Sequence, residues 1–177
     1  VLISNPKTVD LCSNKIKTKE FFKKHKIPTP KSKILHQPND INGFNYPVVL
    51  KQGEGQGGKD IKVCKNFKDV EEYFKTFDEA LCEEFITGSE ISIEVSSWNN
   101  LYYPIAPIYK GETSNEEIQP IIRWRSGPTE LKGLNNQRVM DLAYKIAKNL
   151  NAEGTIDIDL IYSPIDDEIY ALEINTR

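Results

Sequence analysis

The sequence has no apolar run long enough to cross a membrane and no secretory signal-peptide pattern. Its 177 residues include only 3 cysteines and 2 histidines. Cys12, Cys64 and Cys82 are scattered without metal-ligand spacing, so we expect reduced thiols in a cytoplasmic protein rather than a disulfide framework. His25 and His36 also lack partners at such spacing, and no Ser–His–Asp or Cys–His arrangement for nucleophilic catalysis is indicated.

The composition is that of an ordinary folded protein, with 38% hydrophobic and 28% charged residues. A net charge of −3 gives no sign of a general nucleic-acid or membrane-surface binder. The length allows one large domain or two small lobes, and no internal repeat is visible.

The apolar pattern predicts a mixture of helices and antiparallel strands. We expect Ser13 to cap a helix over 15–24 that the prolines of 27–30 terminate, and we expect two further helices near 67–77 and 139–150. The predicted strands are 46–51, 61–63, 81–86, 91–95, 101–108, 118–124, 155–160 and 171–177.

The longest polar stretch, Lys110–Glu117, predicts a mobile loop. We divide the chain into a helical segment over 1–44, a small lobe over 45–97 and a larger lobe over 98–177. The abrupt first and last residues suggest a piece of a longer protein, truncated at both ends.

The last predicted strand places Glu173, Asn175 and Arg177 on one face, because alternate strand residues share a face. Asp157 and Asp159 share a face of the preceding strand in the same way. Carboxylates and an amide oxygen on neighbouring strands form the hard-oxygen site that Mg²⁺ takes. A solvated acidic strand face is the alternative, but the apolar residues between the acids favour a packed rear face.

A glycine-rich segment, 53–58, follows the strand that ends at Lys51 and is followed by Lys59. Such a loop can bring backbone N–H groups and ammonium charge to a phosphate. It matches neither the P-loop nor the Gly-x-Gly-x-x-Gly fingerprint, so taken alone it is more typical of a plain hairpin loop.

The order of these features resembles the ATP-grasp superfamily, in its carbamoyl-phosphate-synthetase-like and D-alanine–D-alanine-ligase-like branches. The resemblance rests on the helix with Lys15, the strand with Lys51, the run Glu-Glu-Phe-Ile-Thr-Gly-Ser-Glu at 83–90 and the final Glu-x-Asn-x-Arg. It covers nearly the whole chain and implies an α+β fold whose two lobes clasp a nucleotide. Thr176 and Asn14 depart from the proline and aspartate that are common in the family.

The resemblance also implies roles for individual residues. Lysines would reach the phosphates, the glycine segment would cover them, residues 83–86 would read adenine and Glu90 would bind the ribose. The implied nucleotide-binding residues are Lys15, Lys51, Gly55, Gln56, Gly57, Gly58, Glu83, Glu84, Phe85, Ile86 and Glu90. The implied Mg²⁺ ligands, with Mn²⁺ as an alternative metal, are Asp159, Glu173 and Asn175, while Asp157 would touch substrate or a second metal.

The implied catalytic residues are Arg177, Arg125 and Lys51. Arg125 is preferred to Arg123 because it lies beside the Ser126–Gly127 turn, although a solvated cationic strand would also account for both. The implied activity is an ATP-dependent, ADP-forming carboxylate–amine or carboxylate–ammonia ligase that works through an acyl-phosphate. Its partners would be small-molecule carboxylates and amines, and a homodimer is left open. The alternative is a non-catalytic nucleotide-binding or regulatory module of a larger synthetase.

Overall fold

The computed structural model describes residues 4–55, 60–114 and 125–176. The helices in these ranges are α1 (Pro6–Ser13), α2 (Lys15–Lys24), α3 (Phe67–Tyr73) and α4 (Asn136–Leu150), with a 3₁₀ turn at Pro38–Ile41. The strands are β1 (Ser32–Leu35), β2 (Val48–Lys51), β3 (Lys62–Cys64), β4 (Ala80–Glu84), β5 (Ser89–Trp98), β6 (Leu101–Pro104), β7 (Ile108–Glu112), β8 (Gly154–Ser163) and β9 (Glu168–Thr176). No helix in the described part of the chain is both long and apolar enough to span a membrane.

The strands form two antiparallel sheets, which confirms the predicted α+β fold. A four-stranded sheet has the order β1-β4-β2-β3, and a five-stranded sheet has the order β6-β5-β8-β9. Strand β7 pairs with the first part of β5, and β6 pairs with the last part of the same strand. Residues 85–88 connect β4 of the four-stranded (small) sheet to β5 of the five-stranded (large) sheet, so this short segment joins the two sheets.

Each sheet has its own apolar core, because each hides one face beneath helices. In the small lobe, Val48 and Leu50 of β2 pack in one cluster with Val70 of α3. In the large lobe, all the isoleucines of β5 and β9 and two of β8, Ile156 and Ile158, pack in a cluster with Phe22 of α2 and Ile146 of α4. The opposite face of the large sheet carries polar side chains together with a few apolar ones.

The start of α2 differs from the prediction. Asn14, not Ser13, caps the helix, and its side chain accepts hydrogen bonds from the N–H groups of Ile16 and Lys17. Ser13 ends α1, a helix absent from the prediction that begins at Pro6 behind the N-cap Asn5. This helix has only eight residues, about two turns, so its apolar residues repeat too few times for the sequence pattern to reveal it.

The predicted loop at Lys110–Glu117 is wrong at its start, because Lys110 to Glu112 belong to β7 and pair with β5. Residues 115–117 lie outside the described residues, as does the predicted strand 118–124. The sheets divide the chain between Glu84 and Ser89, and β1 joins the small sheet through β4. The division between the two sheets therefore does not coincide with the lobe boundaries that we predicted after residues 44 and 97.

Candidate active site

A cleft of about 490 Å³ lies between the two sheets. All the predicted site residues within the described ranges line it, although they come from distant parts of the chain. They are Lys15, Lys51, Gly55, Glu83, Glu84, Phe85, Ile86, Glu90, Arg125, Asp157, Asp159, Glu173 and Asn175. Four predicted site residues, Gln56, Gly57, Gly58 and Arg177, lie outside the described residues, as does Arg123.

One wall of the cleft is the polar face of β8 and β9. Asp159 pairs across the strands with Glu173, and Asp157 pairs with Asn175, so the predicted alternation is confirmed. The register shifts just after this pair, because Leu160 faces Ala171 and leaves Leu172 as an extra residue. Such a bulge re-aims side chains next to a site. The adjacent residues Leu172 and Glu173 both line the cleft.

The two carboxylates on this wall interact strongly. The pKa of Glu173 is raised, first by burial and then by the nearby charge of Asp159, while Lys51 opposes the rise. Asp159 is held by a lysine that the sequence analysis missed, since Lys110 of β7 forms an ion pair with its Oδ1 atom. The Nδ2 atom of Asn175 lies 3.4 Å from the Oδ2 atom of Asp159. Had β7 been predicted as a strand instead of a loop, Lys110 would have been expected in the same sheet as Asp159.

The opposite wall carries Lys51 at the end of β2, in a buried ion-pair cluster. The Nζ atom of Lys51 lies 2.7 Å from Oε2 of Glu83, and Nζ of Lys19 lies 2.9 Å from Oε1. Burial opposes ionisation of Glu83, but the two ammonium groups prevail and lower its pKa to about 2. Glu83 also raises the pKa of Lys51 against the effect of burial. The Glu83 side chain, which we predicted at the adenine edge, is therefore engaged by lysines.

Lys15 stands beside the glycine segment at the beginning of α2. Its backbone N–H donates to the carbonyl oxygen of Gly53 over 2.7 Å, and its Nζ donates to the carbonyl oxygen of Gly55 over 3.0 Å. Burial lowers the pKa of Lys15, while the charge of Glu173 opposes this shift. The helix start and the glycine segment thus form one unit next to the acidic wall.

A model of the ATP-grasp domain family matches residues 12–177. The chain belongs to the ATP-grasp family. It is 49% identical over 180 residues to a carbamoyl-phosphate synthase of Methanobrevibacter smithii. The aligned region covers 100% of this chain and 49% of that protein. It is 28% identical over 183 residues to a D-alanine–D-alanine ligase of Petrotoga mobilis, with 98% of this chain and 60% of that protein covered.

Solved structures agree with the fold. A biotin carboxylase complex with β-γ-ATP from Campylobacter jejuni matches 99% of this chain and 42% of its own, with a TM-score of 0.84 and 20% identity. An N5-carboxyaminoimidazole ribonucleotide synthetase of Thermotoga maritima matches 97% of this chain and 44% of its own, with a TM-score of 0.79 and 23% identity. The chain therefore spans about half the length of several proteins that it resembles.

The acidic wall of this ATP-grasp chain has the donor chemistry for Mg²⁺. Mg²⁺ is usually held by one or two carboxylates, together with water and substrate phosphates, rather than by an all-protein cage. Asp159 and Glu173 face each other, with Asn175 beside them. Across the described ranges, no three or more His, Cys, Asp and Glu side chains gather as a metal site. The residues fit a two-carboxylate Mg²⁺ site whose remaining ligands would be water and phosphate oxygens.

The rest of the cleft is more apolar. Besides Phe85 and Ile86, the cleft is lined by Val49, Ile61 and Ile161, which the sequence analysis did not single out. Leu160 and Leu172 line it as well, although the alternation of the last two strands predicted both on the packed rear face. Apolar walls with a few polar groups are typical of sites for flat organic ligands. Short strands carry such residues in every sheet, so no sequence signal separated Val49 or Ile61 from ordinary core positions.

Proposed function

We propose that this chain is the ATP-grasp part of an ADP-forming carboxylate–amine or carboxylate–ammonia ligase that works through an acyl-phosphate. The observation that carries the proposal is the charge pattern of the cleft, in which two lysines, Lys15 and Lys51, face the carboxylates of Asp159 and Glu173. Opposed cationic and acidic walls suit the phosphates of Mg²⁺-ATP, whose charge needs both ammonium groups and a metal. The names of the similar ligases and synthases support the same reaction class.

The nucleotide would lie across the cleft with its base between the apolar walls. In this arrangement the backbone of residues 84–86 reads the adenine edge, and Glu90 accepts hydrogen bonds from the ribose hydroxyls. Lys15 and Lys51 contact the phosphates, and the glycine segment that begins at Gly53 covers them. Lys51 suits this role because its pKa is raised by Glu83, which keeps the ammonium charged.

Asp159, Glu173 and Asn175 would hold the metal, with Asp157 next to substrate or to a second ion. A bound Mg²⁺ would neutralise charge on the β- and γ-phosphates during transfer. The raised pKa of Glu173 supports this assignment, because two neighbouring, partly buried carboxylates are stabilised by an additional cation.

The chemistry proceeds in two displacements. An oxygen of the substrate carboxylate attacks the γ-phosphorus in line, the bond to the β-phosphate oxygen breaks, and ADP leaves. The amine then attacks the carbonyl carbon of the acyl-phosphate, the bond from that carbon to the phosphate oxygen breaks, and inorganic phosphate leaves while the nitrogen gives up a proton to solvent. Arg125, together with Arg177, would stabilise the phosphoryl group in both steps.

This route requires no nucleophile from the protein. The cysteines fit that requirement, because burial raises the pKa of Cys64 to about 11 and that of Cys82 to about 12. Both thiols therefore stay protonated near neutral pH and are poor nucleophiles.

The test is product analysis with the full-length protein that contains this chain, supplied with ATP, Mg²⁺ and a panel of carboxylate and amine pairs. We expect ADP and phosphate in equal amounts, and a hydroxamate when hydroxylamine replaces the amine. Asp159→Asn should abolish product, whereas Asp141→Asn on the exposed side of α4 should not. AMP and pyrophosphate as products would refute the proposal, and ATP binding without turnover on any pair would favour a non-catalytic nucleotide-binding module.

A further inference from the structure

Lys19 of α2 is an amine buried in the protein interior, only 2% exposed. It does not line the cleft, so the nucleotide contacts proposed above leave it without a role. Lysine is rarely buried to this degree unless it is paired, because removing an ammonium group from water costs free energy. Burial accordingly lowers the pKa of Lys19 to about 8, while Glu83 opposes the shift.

Lys19 stands in the middle of a chain of polar contacts between the two sheets. On one side its Nζ atom donates to Oγ1 of Thr29, which donates to the carbonyl oxygen of Ala171 in β9 over 2.7 Å. On the other side the same Nζ atom pairs with Oε1 of Glu83 over 2.9 Å, and Oε2 of Glu83 pairs with Lys51 over 2.7 Å. The chain therefore runs from β9, two residues before Glu173, to the lysine at the phosphate end of the cleft.

The charges along this chain do not cancel. Two ammonium groups share one carboxylate, which leaves the cluster with one positive charge in excess, and two of its members, Lys51 and Glu83, line the cleft. Without Lys19, Lys51 and Glu83 would form a neutral pair, and one oxygen of Glu83 would lose its only ion-pair partner among the described residues. A neutral pair attracts a phosphate less than a net cationic cluster does.

We propose that Lys19 is a positioning residue for ATP, which acts through Glu83 by fixing that carboxylate and keeping the Lys51 cluster cationic. The proposal rests on the proposed nucleotide site, and it adds a residue that never touches the ligand. It also links the acidic strand β9 to the phosphate lysine by way of Thr29.

The test is a double-mutant cycle of MgATP dissociation constants, measured by calorimetry on the full-length protein, the Lys19→Met and Lys51→Met variants and the double variant. We expect Lys19→Met to raise the MgATP dissociation constant about tenfold in the wild-type background. A change of this size lies within the range of interaction energies that double-mutant cycles give for residues of one ion-pair network. In the Lys51→Met background it should have an effect of about twofold or less, because Glu83, left buried without either lysine, takes up a proton and the cluster is neutral with or without Lys19. Lys24→Met, at an exposed position of the same helix, should leave the dissociation constant unchanged.

A purely structural role would not produce this pattern. If Lys19→Met weakened binding equally in both backgrounds, or in neither, the positioning role would be refuted while the nucleotide site would stand. Lys19→Gln, which keeps a hydrogen-bond donor without the charge, repeats the cycle should the methionine variant not fold, with the same expected non-additivity. Absence of MgATP binding by the folded wild type would instead refute the proposed function itself.

Discussion

Asp159 has an ammonium group on one side and a carboxylate on the other. Its Oδ1 atom is paired with Lys110, and its strand partner Glu173 has a pKa raised by burial and by Asp159 itself. The side chains of Lys110 and Asp159 are only 13% and 15% exposed, so water screens this pair little. In the absence of ligand, Lys110 thus supplies part of the neutralisation that a metal would provide.

We therefore expect Lys110→Met to increase the affinity of the nucleotide-free protein for Mn²⁺ by about tenfold, or about 1.4 kcal/mol. The substitution removes a cation that competes for Asp159 while it retains much of the side-chain volume. Electron paramagnetic resonance of free Mn²⁺ during titration measures this affinity directly. Lys62→Met, which breaks a surface pair with Glu72, is the matched control. Unchanged or weaker binding in Lys110→Met would show that Lys110 does not compete with the metal.

At the scale of elements, the decisive connection is the segment from β4 to β5. A Cβ atom added at Gly88 would lie 2.1 Å from the carbonyl oxygen of Tyr162 in β8, closer than any real contact. The N–H of Gly88 donates to Thr113 Oγ1, and its carbonyl oxygen accepts from the N–H of Thr113. Gly88 is therefore fixed between the end of β8 and the end of β7, which sets how the small sheet meets the large one.

We expect Gly88→Ala to lower the free energy of unfolding by about 2 kcal/mol or more, since backbone must shift to admit the methyl group. Urea unfolding followed by circular dichroism gives the value. Thr87→Ala at the exposed neighbouring position should change stability by only about 0.5 kcal/mol. Equal stability of Gly88→Ala and wild type would mean that the two backbones are not in close contact.

For the molecule as a whole, the sequence predicted the elements whose signals are local. Alternation in the last two strands correctly indicated that Asp159 and Glu173 share a face, and the family motifs indicated Lys15 and Lys51, two of the three lysines that line the cleft. The features it did not indicate depend on contacts between distant segments. The pairing of β1 with β4, the bulge at Leu172 and the binding of Glu83 by Lys19 leave no local pattern. Lys110 was missed because a short edge strand with a glycine resembles a loop.

The same whole-molecule view gives the last prediction, because a ligand in this cleft would contact both sheets at once. MgATP should therefore stabilise the entire fold: at a concentration of about one hundred times its dissociation constant, the gain is about 2.7 kcal/mol. For a protein of this size we expect the melting temperature to rise by about 5 °C or more. Differential scanning fluorimetry with ATP alone, Mg²⁺ alone and both together separates the contributions. Glu173→Ala should abolish the additional shift due to Mg²⁺, whereas Glu168→Ala, at the far end of the same strand, should retain it. A wild-type protein that melts at the same temperature with and without MgATP would contradict the placement of nucleotide between the sheets.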